Sequence, residues 1–87
     1  MLKIKDSVDL KELEKFGFEE NEYDYFYYGF TRPDPNSEIR IFINIKTRHI
    51  STGIDMYADP FKIHDKIYDL IQAGLVEKVE EERWENV

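Results

Sequence analysis

The chain has 87 residues and no cysteine, and 41% of its residues are hydrophobic. This composition supports one folded domain over residues 1–87 and excludes disulfides and thiolate metal sites. The net charge of −7 disfavours direct binding to nucleic acid, because an acidic surface repels phosphates.

The first predicted elements are a short strand or a frayed end at residues 1–5 and a helix of about two turns that follows it. Asp9 is a suitable N-cap, and Glu12 three positions later completes a pattern like a capping box. Leu10 and Leu13 have helical spacing, and Gly17 can adopt the left-handed conformation that ends a helix.

Three strands are predicted next, and the middle one, residues 39–45, has the clearest pattern. Its four isoleucines occupy alternate positions and therefore share one face, which we expect to form the floor of the core. Residues 49–57 form the third strand, joined by a short turn at residues 46–49. We expect one face of this third strand to carry Ile50, Thr52, Ile54 and Met56.

The first of the three strands, residues 23–30, has aromatic side chains on both faces. A shift of one residue exchanges the faces, so the pattern leaves the register open. We favour the set Phe26, Tyr28 and Phe30 as inward-facing, because it contains both phenylalanines of the strand. The proline-rich residues 31–38 then predict a turn into the middle strand.

The second helix begins at Asp59 and Pro60, an N-cap residue followed by proline at the first helical position. Gly74 ends this helix, and residues 75–79 can add a short edge strand. Residues 80–87 are predicted to be a frayed acidic tail, in which Trp84 is the one side chain suited to dock on the domain.

These elements predict an α+β domain in two layers. A three-stranded antiparallel meander carries both helices on one face, in the order α-β-β-β-α, with room for a short strand at either end. No apolar run approaches the roughly 20 residues of a membrane helix, and the N-terminus lacks the apolar segment of a secretory signal. We therefore expect a cytoplasmic protein that does not bind membranes.

The predicted register places an aromatic group on the sheet face opposite the core, and this group is the candidate binding site. Its members are Tyr23, Tyr25, Tyr27, Phe42 and Tyr57. Exposed aromatic side chains can anchor a protein partner or a second copy of the chain, or they can simply stabilise the sheet through cross-strand pairs. Base stacking is disfavoured, because no stripe of basic residues accompanies the aromatics.

The histidines give no sign of catalysis or metal binding. His64 and Tyr68 lie four positions apart on the second helix beside Asp65, and His49 lies in a predicted turn. No zinc-ligand spacing and no nucleophile–base motif occurs, so we expect neither a metal, nor a cofactor, nor enzymatic activity.

Two acidic clusters offer an alternative function. The first comprises residues 19–24 and the second residues 77–85. Such runs are usually solvated surface, but spaced carboxylates can also mimic DNA phosphates in the groove of a nucleic-acid-binding protein. An acidic inhibitor of that kind is the alternative to a binding protein that acts through its aromatic face.

Two segments also resemble a known group of proteins. They are IKDSVDLKELEKFGF at residues 4–18 and YDLIQAGLV at residues 68–76. Both resemble segments of small, uncharacterised proteins encoded by phages and prophages of Gram-positive bacteria. The resemblance implies no activity and no functional residues, but it favours a small accessory protein that acts through protein–protein contacts.

Overall fold

The computed structural model describes residues 1–79, so the predicted acidic tail, including Trp84, lies outside the described residues. These 79 residues form six strands, one 3-10 helix and one α-helix. The strands are β1 (Leu2–Ile4), β2 (Glu19–Glu20), β3 (Asp24–Phe30), β4 (Glu38–Asn44), β5 (Ile50–Ile54) and β6 (Val76–Lys78). The 3-10 helix (Leu10–Phe16) lies between β1 and β2, and α1 (Phe61–Gln72) lies between β5 and β6.

The strands form two antiparallel sheets. One has the order β2-β3-β4-β5, and the other pairs β1 with β6. A single bridge between Lys3 and His49 links them. The α+β class is therefore confirmed, whereas the layout has one strand more in the main sheet than the sequence predicted, and the two terminal strands pair with each other.

The additional strand β2 lies where an exposed acidic connection was expected. Asn21 reverses the chain there, because its side-chain oxygen accepts hydrogen bonds from the N–H groups of Tyr23 (2.8 Å) and Asp24 (3.0 Å). The tight turn places Glu19 and Glu20 beside β3, where they pair with Phe26 and Tyr25. Both glutamates are exposed, so no apolar alternation marked them as a strand.

The isoleucine face of β4 forms the floor of the core, as predicted. Ile41 and Ile43 are fully buried, together with Leu13 of the 3-10 helix and Leu70 of α1. Both helices therefore pack on this one face. Ile50, Thr52 and Ile54 of β5 pair with isoleucines of β4 and share that face, as predicted. Met56, expected on the same face, lies in the turn after β5 and is 82% exposed, because the strand ends at Ile54.

The register of β3 is the opposite of the one expected. Tyr25 pairs with Ile43 and Tyr27 with Ile41, and directly opposed residues share a face. Tyr25 is only 3% exposed, whereas Tyr28 is 51% exposed. The prediction that Phe26, Tyr28 and Phe30 point inward is therefore wrong. Tyrosines can form the buried set, because a tyrosine can bury its ring while its hydroxyl stays near the rim of the core.

The helix ends lie at or next to the local capping signals, and α1 begins at Phe61 with Pro60 as its N-cap, one position later than predicted. Asp59 Oδ1 accepts a hydrogen bond from the N–H of Phe61 (3.0 Å), and Gly74 has a left-handed φ of 78°. Asp9 Oδ1 caps the first helix at Lys11 N (2.9 Å), and Gly17 ends it with a φ of 90°. That helix is of the 3-10 type, and the carboxylate of Glu12 pairs with Lys15 instead of closing a capping box.

Neither helix in residues 1–79 combines the length and the apolar character that crossing a bilayer requires.

Candidate interaction face

An aromatic cluster occupies the face of the main sheet opposite the isoleucines, here called the outer face. Phe26 and Phe42 are directly opposed across β3 and β4, and Tyr28 contacts both rings. The ring centroids of Phe26 and Tyr28 lie 5.0 Å apart, and those of Tyr28 and Phe42 lie 5.8 Å apart in an edge-to-face arrangement. Phe30, at the end of β3, is 65% exposed.

A charged network borders the cluster on the same face. Arg40 donates from Nη1 to Glu38 Oε1 (2.7 Å) and from Nη2 to Asp55 Oδ1 (2.9 Å). Hydrogen bonds to these carboxylates, with that to Glu38 the larger cause, raise the pKa of Arg40 above its ordinary value. The guanidinium therefore stays charged, and its two partners outweigh its charge.

Gly53 provides the space in which the guanidinium of Arg40 lies. It is the direct partner of Arg40 on β5, and a Cβ at this position would stand 3.2 Å from Arg40 Nε. The missing side chain lets Arg40 extend across β5 toward Asp55. The outer face thus combines an aromatic centre with a polar border, which is the usual composition of a protein interface.

The structure separates the five aromatic residues predicted as the binding site. Of these five, Phe42 lies in the outer aromatic cluster, as expected. The placement of Tyr25 and Tyr27 on the outer face is wrong: Tyr25 is buried, and the ring of Tyr27 packs on the inner side against Phe18, 5.7 Å between centroids. Tyr23 and Tyr57 are exposed, but they lie in the turns that precede β3 and follow β5.

The residues that the sequence argument missed are Phe26, Tyr28 and Phe30. The strand and its two faces were recognised, and the choice between the faces was the error. A register that sets the tyrosines of β3 against the isoleucines of β4 would have identified all three, together with Phe42.

A cleft of about 270 Å³ opens on the inner side of the sheet, between β3 and α1. Lys66 Nζ lies 4.3 Å from the centre of the Tyr27 ring and donates to the carbonyl oxygen of Phe16 (2.9 Å). Asp65 lines this cleft, but His64 and Tyr68 are not among its lining residues. The charged side chains of the cleft are two lysines and two aspartates, and its lining includes no histidine.

Within residues 1–79, no group of three or more histidine, aspartate or glutamate side chains is placed to hold a metal ion. Comparison of the chain with protein-family models, with curated proteins and with solved structures finds no match.

The burial of Tyr25 predicts a measurable loss of stability in alkali. Burial, and then the negative charge of Glu20, raise the pKa of Tyr25 above its ordinary value of 10.0. Above about pH 10 the unfolded chain loses this proton more readily than the folded one, so stability falls as the pH rises toward the folded pKa.

The replacement Tyr25→Phe should reduce this alkaline loss, as measured by urea unfolding at about pH 9 and about pH 11. Tyr23→Phe is the matched control, because it removes the same hydroxyl from a tyrosine that is 71% exposed. An equal alkaline loss in the parent protein and in both variants would contradict the burial of Tyr25.

Proposed function

We propose that this chain is a non-enzymatic accessory protein that holds a protein partner on its outer face. The observation that carries the proposal is the uncovered cluster of Phe26, Tyr28 and Phe42 beside the exposed Phe30. Both helices pack on the opposite face, so no element of residues 1–79 covers these rings. Aromatic residues and arginine are enriched where protein partners bind most strongly.

The charge of the outer face favours a protein partner over a nucleic acid. A surface that stacks bases needs cations that follow the phosphate backbone. Arg40 is the cation that β4 contributes to this face, and the two carboxylates of Glu38 and Asp55 outweigh its charge. An interface built from aromatic anchors and this polar border suits a protein surface better than a phosphate backbone.

Removal of the aromatic anchors should abolish partner capture. The test variant is Tyr28→Ala with Phe42→Ala, used as bait in a bacterial lysate, with the bound proteins quantified by mass spectrometry. The matched control is Tyr23→Ala with Tyr57→Ala, which removes two exposed aromatic side chains that lie outside β3 and β5. We expect at least about a tenfold loss of the captured partner in the test variant and none in the control.

Circular dichroism would verify that both double variants keep the fold. Equal capture by the two variants would refute the proposal, because the outer-face aromatics would then contribute no more than any other exposed aromatic pair.

The acidic inhibitor that mimics DNA remains a prediction, and the same capture experiment separates it from the aromatic-face proposal. Binding through carboxylates weakens steeply with salt, whereas binding anchored by aromatic burial changes little. The relationship to small phage proteins and the cytoplasmic location also remain predictions; a lysate from a Gram-positive host is therefore the first in which to seek the partner.

A further inference from the structure

The edge of β3 beyond β2 has no partner strand within residues 1–79. β2 covers only Tyr25 and Phe26. The backbone groups of Tyr23 and Thr31, which flank β3, form hydrogen bonds on the side of β4. The carbonyl oxygen of Tyr23 accepts from Ile45 N (3.1 Å), and Thr31 N donates to Ser37 O (3.0 Å). Because the bonding direction alternates along an antiparallel strand, the N–H and C=O groups of Tyr28 and Phe30 point away from β4.

This edge lacks the features by which monomeric proteins usually protect a strand edge from pairing with another chain. Lysines, prolines or bulges normally prevent an open strand edge from pairing with another chain. Here the open segment reads Tyr28-Gly29-Phe30, with two exposed aromatic rings and no charge. Such a segment is suited to receive another strand.

We propose that a second copy of this chain pairs antiparallel with this edge, about a two-fold axis that passes beside Gly29. Tyr28 then exchanges both backbone hydrogen bonds with Phe30 of the partner subunit, and the symmetry doubles these bonds to about four. Both side chains project from the outer face, so the two aromatic rings meet directly across the new strand pair.

Gly29 allows the close approach at the two-fold axis. It faces its own copy in a pair without hydrogen bonds, where the Cα atoms are nearest, about 4.5 Å apart. The absence of a side chain at this position removes a clash beneath the axis. On the inner side, the hydroxyl of Tyr27 lies over Gly29, 3.0 Å from the position that a Cβ on this residue would occupy.

The charges on α1 match those of a second copy. Four residues of α1 line the cleft next to Gly29 and Phe30 and lie on one face of the helix: Lys62, Asp65, Lys66 and Asp69. A two-fold axis at the β3 edge brings the two copies of this face together in antiparallel order. Lys62 is then opposite Asp69 of the partner subunit, and Asp65 is opposite Lys66 of the partner subunit.

This complementarity argues for a second copy over an unrelated partner. Reversing the order Lys-Asp-Lys-Asp places every lysine against an aspartate, so the face complements itself. The four charges cancel within the strip, so the net charge of −7 does not produce repulsion at the contact itself. The edge and the helix face are thus self-complementary about the same axis.

Sedimentation velocity across a concentration series tests the proposal on the full chain, which should reach twice the monomer mass of 10.5 kDa. Lys62→Asp should raise the dimer dissociation constant at least about tenfold, because it sets a carboxylate against Asp69 of the partner subunit in each of the two symmetry-related pairs. Lys62→Asp with Asp69→Lys should restore the parent value. Residues 62 and 69 are about 10 Å apart along one helix, so this rescue requires a second copy.

Phe30→Pro tests the strand pairing separately, since it removes an N–H that points to the open edge and makes no bond to β4. We expect it to be monomeric, while Phe30→Thr, which keeps the N–H, should weaken the dimer less. A parent chain that is monomeric at every concentration, a dimeric Phe30→Pro, or a failed charge-swap rescue would each overturn the proposal. Partner capture by the outer face does not depend on Lys62, so the two proposals can fail independently.

Discussion

Tyr25→Ala should lower the free energy of unfolding by about 3–5 kcal/mol, whereas Tyr28→Ala should lower it by less than about 1 kcal/mol. The two positions lie in the same strand and carry the same residue, so the substitution is identical. Tyr25 is 3% exposed and packs in the core with Ile41 and Ile43, so its removal leaves a cavity. Tyr28 is 51% exposed, and its removal leaves open surface instead.

Urea unfolding followed by circular dichroism measures both losses under the same conditions. This pair of variants also tests the register of β3. A larger loss in Tyr28→Ala than in Tyr25→Ala would place the even-numbered side chains inward. The outer aromatic cluster, and with it the proposed function, would then be wrong.

The contrast between β4 and β3 shows what an alternating pattern can determine. In β4 the isoleucines occupy one face and Arg40 and Asn44 the other, so hydrophobicity alone selects the buried side. In β3 both faces are aromatic, and burial of either set gains similar apolar area. The connection between β3 and β4 fixes the register there, and within it Thr31 N donates to Ser37 O.

Elements that depend on distant partners were harder to predict than those with local signals. The ends of both helices were recognised because capping aspartates and left-handed glycines act within a few residues. The sequence left room for the short strands β1 and β6, but their mutual pairing joins the two ends of the described chain and has no local signal. β2 is a strand only because the backbone of β3 lies beside it, and its two exposed glutamates carry no strand pattern.

The candidate site depended on the register and was therefore predicted in part. Phe42 belongs to β4, whose faces were unambiguous, and it lies where expected. Tyr25 and Tyr27 were assigned to the outer face only through the register of β3, and both face inward. A surface inferred from one strand is consequently more secure than a surface that requires two strands to be aligned.

Arg48 is a partly buried residue whose replacement should cost more stability than an ordinary surface substitution. Its backbone has a positive φ of 65°, a conformation that favours glycine. Its Nη1 donates to the carbonyl oxygens of Lys5 (2.8 Å) and Val8 (2.7 Å), and its own carbonyl accepts from Ile4 N (2.9 Å). The side chain thus fixes the N-terminal segment against the turn between β4 and β5.

Arg48→Ala should lower the free energy of unfolding by about 2–3 kcal/mol, because both charge-assisted hydrogen bonds are lost while the strained backbone remains. Arg48→Gly loses the same bonds but relieves the backbone, so it should be less destabilising than Arg48→Ala by about 1 kcal/mol. Arg32→Ala is the control, since Arg32 is exposed and its replacement should stay within about 0.5 kcal/mol.

Urea unfolding of the three variants separates the two contributions at Arg48. If Arg48→Gly were more stable than the parent chain, the bonds to Lys5 and Val8 would contribute less than the backbone conformation costs. If it is less stable, as we expect, those bonds explain why a turn that suits glycine carries an arginine. That side chain then holds the N-terminal segment against the turn, in addition to the pairing of β1 with β6 and the burial of Ile4 in the core.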